Sequence, residues 1–184
     1  GVAAIALASV HFTETTPEPS RTIRFTVAPP ENMTIATGIS GSGVLSPDGS
    51  RILFPVAPLD GLGSVALAVR AFEEETARVL PGSDGAINPF WAPDSQFLAY
   101  LGGGKLQRIA VRGGAPQVIC ETPGLAGGTW NRDDVIVFSP LSGPLLQVSA
   151  RGGTPTPVTT LNAARHETSH RFPWFLPDGR HFLY

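Results

Sequence analysis

A short pattern recurs along this chain and restricts its fold more than any other feature. LSPDGSRILF (45–54), WAPDSQFLAY (91–100) and FLPDGRHFLY (175–184) resemble one another, and WNRDDVIVF (130–138) joins them once a missing residue in its turn is allowed. The aligned aspartates Asp48, Asp94, Asp133 and Asp178 lie 46, 39 and 45 positions apart. A second element, VRGGAPQVI (111–119) against ARGGTPTPV (150–158), keeps one of the same offsets, with Gly113 and Gly152 separated by 39 positions. Two different motifs sharing an offset mark a structural repeat.

Each part of the repeat has a physical role. In S-P-D-G the proline presets φ, the aspartate accepts bonds from nearby backbone amides, and the glycine takes the positive φ at which the chain reverses. Pro47, Asp48, Gly49, Pro93, Asp94, Asp133, Pro177, Asp178 and Gly179 are therefore read as structural turn residues, which symmetry would spread around a ring. After each turn comes a β-rich apolar run, such as Ile52 to Phe54 or Val135 to Phe138. Near-continuous runs of this kind suit strands covered on both faces. A glycine-rich bend leads to a third strand, KLQRIAV (105–111) or PLLQVSA (144–150), and the GG turn to a fourth. The first repeat has SVALAVRA (64–71), an acidic turn at Glu73 to Glu75, and ARVL (77–80) in those places.

Four strands in a period near 40–50 residues make the blade of a β-propeller. With 21 glycines and 18 prolines spread along 184 residues, the expected fold is all-β. It comprises about three complete four-stranded blades and the start of a fourth, over residues 22–184. Propellers close at four to eight blades, and an open ring leaves unpaired edges. The chain is thus expected to be a fragment of a larger closed propeller, its missing blades being natural partners. TIRFTV (22–27) is expected to be a strand ahead of the first repeat, of the kind that completes a last blade.

The formal net charge of −2 offers no basic face for phosphates, so nucleic acid is not expected as a partner. The single cysteine, Cys120, rules out an internal disulfide and a cysteine-rich zinc knuckle; it reads as a small buried residue on a fourth strand. GVAAIALASV at the start is apolar but shorter than the roughly 20 residues a membrane span requires. Residues 1–12 are read as the end of a truncated transmembrane segment and 13–21, containing TETTPEPS, as a polar linker.

The S-P-D-G hairpins, with aromatic residues before and after them, resemble the TolB-type, WD-like propeller repeats of bacteria. The longer pattern of GTWNRDDVIVF (128–138), the RGG turns and ETSHRFPWFLPDGRHFLY (167–184), behind an apolar segment and a proline-bearing linker, is similar to the C-terminal propellers of bacterial membrane-anchored serine/threonine kinases. In that family a cytoplasmic kinase domain precedes one membrane span and the propeller lies beyond it. The resemblance implies a membrane-anchored, extracytoplasmic (periplasmic) propeller, serving as sensor or protein-interaction scaffold, with a protein or peptide ligand. The kinase's own motifs are absent from these residues, so no catalytic activity and no cofactor is expected of them. The alternatives are a TolB-like periplasmic interaction module without a kinase, and the propeller domain of a serine peptidase.

HETSH (166–170) matches the H-E-x-x-H of zinc peptidases, where a helix brings both histidines to one face. Its neighbours argue against that chemistry: Arg165 and Arg171 would oppose a dication, and Pro173 would stop a helix just after His170. No further histidine or glutamate stands at ligand spacing, since His181 falls in an expected strand. Glu167 and His170 are read instead as a polar inter-blade contact, in a connection that the resemblance fills with a similar E-T-S-H stretch. GISGSG (38–43) does not complete the G-x-S-x-G of a nucleophile elbow, and GGG at 102–104 is a hairpin bend with no helix behind it to hold phosphate. Trp91, Trp130 and Trp174, beside the turns, are expected to pack between blades. The purified chain should carry no stoichiometric zinc, and elemental analysis should return the same metal content for His166→Ala; one zinc per chain, lost in the variant, would reverse this reading.

Overall fold

The computed structural model describes residues 25–37 and 43–184. The segments read as a truncated span and linker lie outside the described residues, as does most of GISGSG. The described chain forms antiparallel sheets in sequence order. β2 (Val44–Leu45), β3 (Arg51–Pro58), β4 (Ala66–Ala71) and β5 (Arg78–Val79) make the first blade, and β1 (Met33–Ile35) pairs with the far half of β3. β6 (Ile87–Trp91), β7 (Phe97–Gly102), β8 (Lys105–Ala110) and β9 (Gln117–Glu121) make the second. The third is β10 (Gly127–Trp130), β11 (Val135–Ser139), β12 (Leu146–Ser149) and β13 (Thr156–Pro157); β14 (Trp174–Phe175) and β15 (Phe182–Leu183) form a fourth hairpin. This is the partial propeller expected from the repeat. Among the described residues no helix is long and apolar enough to cross a membrane.

The apolar runs of β7 and β11 are buried on both faces because the second blade lies between the first and the third, and the third between the second and the fourth hairpin. Along β7, Leu98 and Tyr100 join Leu53, Leu67 and Val69 of the first blade in one cluster. The alternate residue Ala99 joins Phe90, Ile136 and Phe138 in the cluster shared with the third blade. Period-2 alternation thus assigns successive residues to different neighbours. Each fully buried Leu or Phe contributes roughly 1.5–3 kcal/mol against exposure. The same burial raises the Tyr100 hydroxyl to about 12, with Asp84 adding to it, and Tyr100 Oη donates to the Gly82 carbonyl at 3.0 Å.

Three expectations are corrected. Residues 25–27, the described part of TIRFTV, form no strand; Val27 instead packs on the first blade's outer cluster of Phe54, Val56, Ala66 and Ala68. β1 is the strand ahead of the first repeat, and it pairs within its own blade. His181 stands just before β15 rather than in it, because its amide and ring are drawn to Asp178. Trp91 and Trp130 are buried, but Trp174 is 68% exposed, because no further sheet covers its face among the described residues.

Blades two and three meet where Gly128 of β10 faces the Phe90 ring of β6; a Cβ there would overlap the ring carbons Cε1 and Cζ. Gly128→Ala should therefore destabilise the chain by about 1–3 kcal/mol through overpacking, lowering the urea midpoint. An unchanged midpoint would mean that the two blades do not approach at this point.

Candidate ligand-binding groove

The turns that carry the repeat are built by different side chains at equivalent places. In the first, Gly49 N–H bonds Ser46 O at 2.8 Å with φ 69°, while Asp48 Oδ1 accepts from Ser50 N–H at 2.9 Å and Ser46 Oγ–H at 2.5 Å. In the fourth, Asp178 Oδ1 accepts from the amides of Arg180 and His181 at 2.9 and 3.0 Å, and Gly179 takes φ 67°. Asp94 accepts from the Gln96 amide at 2.8 Å. The third turn departs from the pattern: Asn131 Oδ1, not Asp133, accepts from the amides of Asp133 and Val135 at 3.0 and 2.9 Å. Asn131 was legible only as the residue at the serine's place, with the shortened turn as its signal.

Bonds offset by about one repeat tie the blades at this end. Ser95 holds φ 59° at the place of the first turn's glycine, and its hydroxyl accepts the Asp48 amide at 3.2 Å. Trp91 Nε1 donates to Val44 O at 3.1 Å, Asn131 Nδ2 to Gly179 O at 2.9 Å, and Phe175 N–H to Thr129 Oγ1 at 3.1 Å. Glycine at 95 would supply the φ but not the hydroxyl.

With the blades fixed this way, the innermost strands β2, β6, β10 and β14 face a groove of about 670 Å³. Its apolar wall includes Leu45, Phe90, Trp130, Trp174 and Leu176; Pro47, Pro93, Asp133, Pro177, Asp178 and Gly179 stand along its mouth with Arg132 and Arg180. The turns read as spread around a ring therefore open on one space. Their carboxylates do not pool: among the described residues no group of three His, Cys, Asp or Glu could hold a metal ion. Asp48 and Asp178 are engaged within their own turns. Hydrogen bonds from Ser46 and Ser50, with Arg51 nearby, lower Asp48 from 3.8 to about 2. The His181 ring and the two backbone amides hold Asp178 well below the carboxylate range.

HETSH is not a helix. A single 3₁₀ turn, Ala163–Arg165, precedes it, and His166 takes φ 54°, so the two imidazoles do not share a helical face. His170 instead sits between two oxygens, Nδ1 at 2.9 Å from Thr159 Oγ1 and Nε2 at 3.1 Å from Glu167 Oε2. Its ring lies 4.7 Å from that of Tyr184, in the fourth hairpin. The Asn162 amide and the His170 ring hold Glu167 below the usual carboxylate range. The segment is also bonded to the third blade through Gly143 N–H to Thr168 O and His170 N–H to Gly143 O, at 2.9 and 3.1 Å. Cys120 is buried on β9, and burial, with Glu121 nearby, raises its thiol to about 11. That keeps it protonated and a poor nucleophile at neutral pH.

No protein-family model and no curated protein matches the sequence. Among solved structures the chain is similar to the putative TolB from Agrobacterium tumefaciens, with TM-score 0.56 and 17% identity over 73% of this chain and 53% of that one. It is similar to an oligogalacturonate lyase in complex with manganese, with TM-score 0.53 and 20% identity over 69% and 41%. It is also similar to a prolyl endopeptidase, with TM-score 0.50 and 17% identity over 71% and 22%. The chain spans about half the length of the TolB structure and less of the other two. At these identities the likeness is one of fold, and the fold is a TolB-type β-propeller.

Because the folded value of Asp48 is depressed, its contribution to stability is complete above the ordinary value of 3.8 and is lost as pH falls toward 2. Asp48 is exposed, so the loss is small. Asp48→Asn should lower the urea midpoint at neutral pH and flatten its decline between pH 4 and pH 2; an equal decline in both proteins would show that the turn does not depend on the charge.

Proposed function

We propose that this chain is a non-catalytic interaction propeller whose channel-side groove binds a protein or peptide ligand. The groove itself supports the reading best. It is an open, largely apolar space to which every repeat contributes its inner strand, within the 300–1,000 Å³ usual for ligand sites. Its lining is already internally bonded, as Trp91 with Val44 and Asn131 with Gly179 illustrate. The wall is therefore preformed, and little ordering opposes binding.

Two finer statements rest on the sequence resemblance. The propeller is an extracytoplasmic sensor or scaffold, and it belongs to a membrane-anchored receptor serine/threonine kinase whose catalytic domain precedes these residues. A ligand bridging such propellers would favour receptor association across the membrane. Further blades of the same propeller would complete the ring and cover Trp174. A coding sequence upstream that carries the kinase catalytic loop supports this arrangement; one without it favours the TolB-like module.

Leu45 lines the groove and is 57% exposed, while Leu62 is 79% exposed and is not among the groove's lining residues. Clones enriched from a displayed random-peptide library on the wild-type chain should lose at least about tenfold in affinity on Leu45→Arg, since a guanidinium placed on the apolar wall must be desolvated. They should bind Leu62→Arg unchanged. Binders insensitive to Leu45→Arg, or no enrichment, would remove the groove as the binding site.

A further inference from the structure

The groove's polar groups divide into those the fold consumes and those it leaves open. Asp178 is consumed by His181 and two amides, Asn131 by three bonds, and the Trp91 indole by Val44. Arg132 and Arg180, both exposed and both lining the groove, have no acceptor for their guanidinium groups among the described residues. Outside the groove Arg51 pairs with Asp48, Arg151 with Asp134 and Arg165 with Glu167, while the exposed Arg112 also lacks an acceptor among the described residues. Arg132 and Arg180 are the two open guanidinium groups that line the groove.

Trp130 is a second, independent sign. Its ring is only 7% exposed and lines the groove, yet its indole N–H has no partner among the described residues. Among those residues no fully buried side-chain nitrogen or oxygen lacks a partner, so this N–H is still reached by solvent. The matching indole one repeat earlier, that of Trp91, is bonded to the preceding blade. The neighbouring inner strand β6 shifts register between Ile87 and Phe90, and Asn88, at φ 48°, bonds the Leu125 carbonyl at 2.6 Å. The open groups are thus mostly donors, two of them cationic, against one unpaired carboxylate, that of Asp133.

From this we infer that the groove takes an acidic, extended peptide, whose carboxylates meet Arg132 and Arg180 and whose backbone carbonyl accepts the Trp130 indole N–H. The inference rests on the binding role proposed above and names the ligand class. Planar guanidinium groups hold carboxylates through paired, charge-assisted bonds. The aliphatic part of the wall favours a peptide over an acidic sugar chain: against Leu45, Leu176, Pro47, Pro93 and Pro177 sugar hydroxyls would be left unbonded while aliphatic and proline side chains would be at home.

The test is calorimetric titration of the full chain with three probes: a capped octapeptide alternating glutamate with proline or leucine, its all-glutamine counterpart, and a hexamer of α-1,4-linked galacturonate. Tight binding of the glutamate peptide is expected, with affinity lower by at least about tenfold for the glutamine peptide and for either Arg132→Ala or Arg180→Ala. Both arginines are exposed, so these variants should keep the wild-type urea midpoint. Binding should also weaken steeply with salt, and Trp130 fluorescence should change on saturation. Equal binding of the two peptides would overturn the acidic class while leaving the groove a peptide site. Preference for the uronate hexamer would make it a carbohydrate site and overturn the peptide. Peptide binding indifferent to both arginine variants, or no binding by any probe, would overturn the inference; in the latter case the library selection decides separately whether the groove binds at all.

Discussion

The face-to-face packing of successive sheets holds the rest in place. A β-strand sends alternate side chains to opposite faces, so a strand buried on one side needs every second residue apolar, whereas one buried on both sides needs nearly all of them. Val135 to Phe138 and Leu98 to Leu101 meet the second condition, and the described structure uses both faces. Leu98 and Tyr100 belong to one inter-blade cluster and Ala99 to the next. A sheet of this kind cannot stand alone in water, and each repeat is stable because another follows it.

Apolar contact sets the stacking but not its register. Registry comes from a small set of directional bonds at an offset of one repeat: Asp48 to Ser95, Trp91 to Val44, Phe175 to Thr129 and Asn131 to Gly179. All four lie close to the inner strands. They tie the blades at the end where the turns meet, beside the groove. The outer strands, two residues each for β5 and β13 and five for β9, contribute no residue to the groove's lining.

The same local motif performs different work in successive repeats. Where glycine stands, as at Gly49 and Gly179, the turn is merely permitted. Where it is replaced, as at Ser95 and Asp134, a non-glycine residue is held at positive φ, and at Ser95 the strain is repaid by a bond to the neighbouring blade. The departures at Ser95 and Asn131 therefore mark contacts between repeats, whereas Asp134 bonds Arg151 of its own blade. The HETSH stretch makes the complementary point: a motif defined by spacing acquires its chemistry only in a helix, and His166 in the left-handed region shows that the helix is not there.

The sequence by itself determined the strands, the turns, the four-stranded unit and the number of repeats, because each follows from interactions between residues close along the chain: proline and glycine dihedrals, an aspartate reaching amides two positions on, and a period-2 apolar pattern. Glu167 and His170, read from the sequence as an inter-blade contact, bond each other together with Asn162 and Thr159, and which partners they take was not legible in the sequence. Only the tertiary structure decided that turns about forty residues apart share one groove, that Asn131 takes over the role of Asp133, and that Trp130, Arg132 and Arg180 keep donors to spare. Whether a group is satisfied depends on which distant backbone atoms arrive beside it, and that is fixed by the angle and register at which one sheet packs on the next.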